Sequence, residues 1–423
     1  MKINKIVYKS FSDMHNVLRF DMNKKVRRQN RVLMPLAWAL SFPETFKRKL
    51  VIRRHNMEPL KKVPYLLLCN HNAFYDFKVA TRAIFPRRAT YVVAIDGFID
   101  REALMRQVGC FGKRKFINDI GLIKQIRHSL YELKHITVIY PEARYSLVGT
   151  NHILPDSLGK LVKLLKVPVA TLITKGNHLS SPVWNTRFRK VNTEADLTQL
   201  ITKEESETLS VEEINDRINQ AFVYDDYAWQ KEKGVEIKEP WRAEGLEKVL
   251  YKCPSCLAEG EMKGTGSVLK CNACQKEWFM ETNGTLSAIV GETEFSHIPA
   301  WHEWQRQEVV KEIENGTYSF THEVAIDSLP SSKGFYRIGS GILTHDINGF
   351  KIVGKSQNGE DFVIEKKPEE HYSIHIEFNY FGRGDGISLS YPQDTYYFFS
   401  HDPKYTVTKA HFAVEELYKR RNK

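Results

Sequence analysis

Tyr65-Leu66-Leu67-Leu68-Cys69-Asn70-His71-Asn72-Ala73-Phe74-Tyr75-Asp76-Phe77 is the stretch that decides how this chain folds. Its apolar start has the length and composition of a buried strand. The strand signal stops at Asn70, and a histidine and an aspartate follow closely. Residues five apart on a regular helix lie about 140° from each other, so His71 and Asp76 cannot meet inside one helix. They meet if His71 sits on a strand-to-helix turn and Asp76 in the first helical turn, where the helix dipole also favours an acid. An imidazole held by a carboxylate is a general base with its orienting partner. The pair lacks the nucleophile of a hydrolase triad, since Cys69 and Cys110 read as packed thiols. A substrate hydroxyl is therefore the expected group to be activated.

Working outward, residues 91–94, 136–140 and 167–173 read as further strands, and residues 120–133 and 158–165 as helices. The alternation predicts an α/β layer with a largely parallel sheet. Ligands of such sheets lie beyond the carboxyl ends of the strands. Three features fall at those ends: His71, the cation run Lys113-Arg114-Lys115 beside Gly109 and Gly112, and the turn Pro141-Glu142-Ala143-Arg144-Tyr145-Ser146. They predict one site, with backbone donors for a developing oxyanion around Asn70 to Ala73.

This ordered set resembles the glycerolipid acyltransferase family of the lysophosphatidic acid type, over roughly residues 30–230. That family carries His-x4-Asp, a Gly-rich basic block, Pro-Glu-Gly-Thr-Arg-Ser and a strand with Val-Pro-[Val/Ile]. Here the first is Asn70-His71 to Asp76 and the last is Val167-Pro168-Val169. The third keeps Pro141, Glu142 and Ser146 but has Ala143 for glycine and its arginine one place early; the second reads Lys113 to Asn118 without the usual Asp-Arg. The resemblance implies transfer of a fatty acyl group from a thioester, acyl-CoA or acyl-ACP, to a hydroxyl of a lysophospholipid or related phosphorylated lipid. His71 would be the base and Asp76 its orienting acid. Lys113, Arg114, Lys115 and Arg144 would bind the acceptor phosphate, a task suited to charge-assisted donors, and Glu142 would fix the loop or meet an acceptor hydroxyl.

A second signal lies downstream. Cys253-Pro254-Ser255-Cys256 and Cys271-Asn272-Ala273-Cys274 form two Cys-x2-Cys knuckles. Four thiolates satisfy tetrahedral Zn2+ and leave no open position, so a structural metal is expected. The segment resembles a zinc ribbon. Paired cysteines of this kind also point to a reducing compartment. Beyond it, a helix over 301–313 precedes strands with turns at Asn348-Gly349, Asn358-Gly359 and 382–386, and an amphipathic helix over 406–420 ends the chain. Hairpins closed by one helix resemble a pleckstrin-homology-like barrel. The expected architecture is thus α/β, an acyltransferase-type sheet with flanking helices, plus a small zinc ribbon and a C-terminal mainly-β, barrel-like domain with a terminal helix. The boundaries are 1–248, 249–282 and 283–423, with residues 231–247 as a linker after a capped helix at Ser210.

The chain has 423 residues and a net charge of +11, which favours anionic surfaces. The run 32–42 is too short to span a bilayer, and Lys24 to Arg28 and Lys47 to Lys49 flank it. Apolar residues between cations suit a helix lying on anionic lipid. The expected partners are an anionic membrane surface, a lysolipid acceptor and, for an ACP-borne donor, acyl carrier protein. The expected location is the cytoplasmic face of the membrane, held peripherally. Two other readings explain less: a basic zinc-ribbon protein associated with nucleic acid, which leaves His71 and Asp76 without a role, and a scaffold whose acyltransferase domain has degenerated.

Overall fold

The computed structural model describes residues 6–117 and 119–421; Asn118, in the second motif, lies outside them. A two-residue strand, β1 (Val7–Tyr8), comes first. The sheet predicted from the sequence then forms from β2 (Val51–His55), β3 (Leu66–Cys69), β4 (Ala89–Ala94), β5 (Cys110–Lys113), β6 (Ile136–Ile139), β7 (Val169–Lys175) and β8 (Glu194–Ile201), in the order β2-β8-β7-β3-β6-β4-β5. All pairings are parallel except β7 with β8. The central strand β3 is buried throughout because both faces are covered, so it reads as continuous leucine instead of alternation. Leu66 and Leu68 join a core with Ile126, Leu158 and Val162, while Leu67 and Cys69 join one with Val79, Ala80 and Ala83.

The helix Asp76–Ile84 follows β3 and buries Val79, Ala80, Ala83 and Ile84, spaced to put one apolar stripe on the sheet. The helix Val211–Ala221 opens with the expected capping box, Ser210 accepting from the Glu213 amide and the Glu213 side chain accepting from Ser210. Residues 231–247 are not a solvated linker. Ile237, Ala243 and Leu246 are buried in a core that runs on into the next unit.

That unit is a four-stranded sheet of β9 (Met262–Thr265), β10 (Val268–Cys271), β11 (Glu277–Met280) and β12 (Leu286–Ala288), the last lying past residue 282. The final sheet holds β13 (Phe320–Ser331), β14 (Gly334–Asp346), β15 (Gly349–Lys355), β16 (Asp361–Lys366), β17 (His375–Glu377), β18 (Asp385–Ser390) and β19 (Thr395–Ser400), in the order β16-β15-β14-β13-β19-β18-β17. Helices Ile298–Glu314 and Val407–Arg421 pack against each other beside it. Two links tie the ends of the chain together. β1 pairs in parallel with β14, Val7 opposite Tyr336. One apolar cluster runs from Leu147, Val148 and Trp184 through Trp278 of the small sheet and Trp301 to Phe398 and Val414.

Candidate active site and metal centre

His71 lies on the turn after β3, and Asp76 is the first residue of the helix that follows, the one arrangement in which the pair can meet. His71 Nδ1 is 3.0 Å from Asp76 Oδ2. The same oxygen accepts the backbone amide of Ala73 at 3.0 Å and that of Asn72, while Oδ1 accepts from Asn177 Nδ2 at 2.6 Å. Because Asp76 acts as an acceptor, Nδ1 carries the proton and Nε2 presents its lone pair. Among the described residues no hydrogen bond reaches Nε2. The imidazole side chain is 21% exposed, against 2% for Asp76. An imidazole with an open edge is thus fixed by a buried acid.

Two expectations need correction. The amides of Asn72 and Ala73 are used by Asp76, so they are not free for an oxyanion. His178, which in the run Lys175-Gly176-Asn177-His178 reads from the sequence as a surface histidine, is fully buried, and its neighbour Asn177 is the residue that matters, as the fourth donor to Asp76. The surrounding turn is rigid. Asn70 bonds both the amide and the carbonyl of Thr174, and Tyr224 Oη donates to Asn72 Oδ1 at 2.7 Å.

The Pro141-to-Ser146 turn does come to His71. The rings of Tyr140 and Tyr145 lie 4.3 Å from the imidazole, and Ser146 N donates to His71 O at 2.7 Å. Ala143 has φ +57°, a left-handed position that suits glycine. Glu142 is buried beneath the turn, and neither carboxyl oxygen has a hydrogen-bond partner among the described residues. Burial pushes its pKa well above the usual carboxylate range; Arg144 opposes this and Asp76 reinforces it.

The cations behave differently from expectation. Arg114 is buried and donates to Leu329 O, Pro330 O, Gln393 O and Thr395 Oγ1, all in the C-terminal part. Arg144 is buried with Glu415 Oε1 at 2.7 Å. Their Nη donors are engaged inside the protein, so neither guanidinium presents itself to a substrate phosphate. Lys113 Nζ donates to Ile117 O at 3.2 Å, and Lys115 Nζ lies 2.8 Å from His375 Nε2. The structure brings His71, Asp76 and Glu142 together and turns Arg114 and Arg144 toward the final sheet and helix.

The four cysteines converge. Cys253 and Cys274 Sγ are 3.7 Å apart, as are Cys256 and Cys271 Sγ, and all four sulfurs lie within 4.8 Å of one another. A tetrahedron with metal–sulfur bonds of about 2.3 Å has edges of about 3.8 Å, so the quartet can hold one metal ion. The two knuckles are built alike. Leu257 N donates to Cys253 O and Gln275 N to Cys271 O, and Leu257 and Gln275 both take positive φ, +64° and +63°.

Neither a protein-family model nor a curated protein matches the chain. Among solved structures it is similar to the 1-acyl-sn-glycerophosphate (LPA) acyltransferase PlsC from Thermotoga maritima, with a TM-score of 0.37 and 12% identity over 45% of this chain and 76% of that one. At that distance the likeness carries no argument about activity.

Proposed function

We propose that the protein transfers an acyl group from a thioester to the hydroxyl of a lipid acceptor. The observation that carries this reading is the His71 ring, with Nδ1 tied to buried Asp76 and Nε2 open. Nε2 takes the proton of the acceptor hydroxyl as the oxygen attacks the thioester carbonyl. The tetrahedral intermediate collapses, the C–S bond breaks, and the imidazolium returns the proton to the departing thiolate. Asp76 stabilises the imidazolium between these steps. The test is lipid mass spectrometry after incubation with labelled acyl-CoA or acyl-ACP and a panel of lysolipids, phosphorylated and not. Absence of any new acyl ester across the panel overturns the reading.

The helix Leu33–Lys47 supports a membrane-facing site. Its buried residues are Ser41 and Thr45, while Leu40 and Phe46 are 67% and 71% exposed and Val32, Leu36 and Phe42 are exposed as well. This reverses the usual polarity of a surface helix. Its inner side is held by polar contacts, Glu44 with Lys78 and Arg82 with Thr45. Just past its end, buried Arg48 lies 4.1 Å over the ring of Tyr75, the residue before Asp76, which ties the end of this helix to the turn that carries the site. No helix among the described residues is long and apolar enough to cross a membrane. Docking of this face on an anionic bilayer, as on the inner face of a cytoplasmic membrane, would bring lipid acceptors to His71. Burial of one such side chain contributes roughly 1.5–3 kcal/mol. Leu40→Glu with Phe46→Glu should therefore weaken binding to vesicles containing anionic lipid by at least about a hundredfold in a sedimentation assay.

We further propose zinc as the quartet's metal, with a structural role. Metal analysis should return one zinc per chain. Chelation should lower unfolding stability by roughly 5 kcal/mol, read as the shift in denaturant midpoint. The loss is smaller than the about 10–16 kcal/mol of an isolated zinc unit, because Leu269, Trp278 and Met280 are also held by a larger core. The boundaries near 248 and 282, and the pleckstrin-homology-like reading of the last sheet, stand as proposals with this one. The ends of that sheet's hairpins are engaged internally, Ser332 with Glu102 and Ser356 with Phe11, which favours a supporting role over recruitment through those loops.

A further inference from the structure

We propose that Glu415, on the last helix of the chain, is a positioning residue for the His71 site and acts through Arg144. The inference rests on the acyl-transfer reading above but is drawn from separate contacts. Arg144 belongs to the turn whose Tyr140 and Tyr145 rings flank His71 and whose Ser146 amide bonds the His71 carbonyl. Its guanidinium points away from that site into the C-terminal part. Nη1 donates to Ser373 Oγ at 2.9 Å, to Ile374 O at 3.3 Å and to His411 Nδ1 at 2.6 Å. Nη2 donates to Glu415 Oε1 at 2.7 Å and to His152 Nδ1 at 3.0 Å.

The histidine tautomers follow from the arginine. Arginine only donates, so His152 Nδ1 and His411 Nδ1 accept, and the proton of each neutral ring sits on Nε2. The His152 Nε2–H then points at the Tyr145 carbonyl, 3.3 Å away. Arg144 therefore grips its own turn through His152 and the last helix through Glu415.

Glu415 is the one carboxylate at the centre of this cluster. It is almost fully buried, Ser373 Oγ donates to Oε1 at 2.8 Å, and the Arg306 guanidinium lies 2.8 Å from Oε2. Two guanidinium groups share it, that of Arg144 fully buried and that of Arg306 largely so. Removing the charge leaves Arg144 without an acid partner in a water-poor setting, while Arg306 keeps Glu303 and Glu416, so the cost and the loosening fall on what Arg144 holds. On the Arg144 side, what is held is the wall of the active site. The long separation in sequence, 271 residues between Arg144 and Glu415, makes the C-terminal part a component of the site and not an appended module.

The test is Glu415→Gln in the full chain, with Glu415→Asp as the conservative partner and Ser373→Ala as a milder break in the same cluster. The expected result is a tenfold or larger fall in kcat with acceptor KM changed less than about threefold, partial recovery in Glu415→Asp, and a smaller fall in Ser373→Ala. The His71 ring nitrogen resonances, followed by NMR at a single pH, should also shift in Glu415→Gln. The groups facing that ring are Asp76, Tyr140, Tyr145 and the nearby Glu142. This readout needs no turnover, so it separates failure of the positioning role from failure of the acyl-transfer reading. If Glu415→Gln does not fold, Ser373→Ala decides. An unchanged kcat together with unchanged His71 ring resonances in a folded variant overturns the proposal.

Discussion

Replacing His71 with alanine should lower acyl transfer by roughly three to four orders of magnitude while the protein stays folded. The side chain makes one hydrogen bond, to Asp76, and its ring edge is open, so the change removes its contacts with Tyr140 and Tyr145 without opening the fold. Asp76 keeps three other donors, the amides of Asn72 and Ala73 and the side chain of Asn177, and is not orphaned by the change. Circular dichroism and the melting transition should therefore stay near those of the parent protein. Asp76→Asn should reduce turnover by a similar factor for a different reason. Its amide group can donate to Nδ1, which turns the imidazole to the tautomer with Nε2 protonated and removes the lone pair that accepts the substrate proton. It should also cost stability, since three N–H donors converge on that position. The measurement is initial rate against acceptor concentration for each purified variant. A His71→Ala protein that keeps a tenth of the parent rate would end the general-base mechanism.

Stability should drop steeply as the solution is acidified from neutrality. Burial holds His178, His345 and His371 down to about 3. Burial also lowers His152, His302, His375 and His411. The unfolded chain takes up a proton at each of these below about 6.5 and the native protein does not, so their contribution is present above that pH and is lost below it. Three buried acids act in the opposite sense: Asp226 is pushed up to about 7, Glu142 is raised well above the normal range and Asp394 is raised as well, so the native state holds protons there that the unfolded chain releases. The buried histidines outnumber these acids, which leaves the balance with the histidines. The net effect between pH 6.5 and 5.5 is a loss of stability, read as a falling denaturant midpoint. Denaturant titrations at a series of pH values check this. A flat profile from pH 7 to 5 would mean that these rings are hydrated in the native state.

The residues that could be read in advance are those whose constraint is local. The step from Leu68 to Asp76 follows from a buried strand, a break at Asn70 and the angular limit on a helix, and the structure places His71 and Asp76 as that geometry demands. The four cysteines are likewise a matter of spacing, two knuckles with the same internal hydrogen bonds. Arg114 and Arg144 could not be read this way. A cation at a strand end looks the same in sequence whether it faces a ligand or another part of the chain, and their partners lie hundreds of residues away. Asn177 was hidden for the same reason, since its bond to Asp76 joins two neighbouring strand ends 101 positions apart. The strand β5 was concealed by its glycine and lysine, which suggested a loop; pairing with β4 overrides that local preference.

The parallel pairing of Val7 with Tyr336 has a consequence for how the molecule is made. A ribosome releases the first strand long before its partner exists. At about 5–20 residues per second, the opening segment waits tens of seconds with its amides unmatched. The last sheet therefore closes only after nearly the whole polypeptide has emerged, and a bulky fusion placed ahead of Val7 would hinder assembly of a region more than three hundred residues downstream.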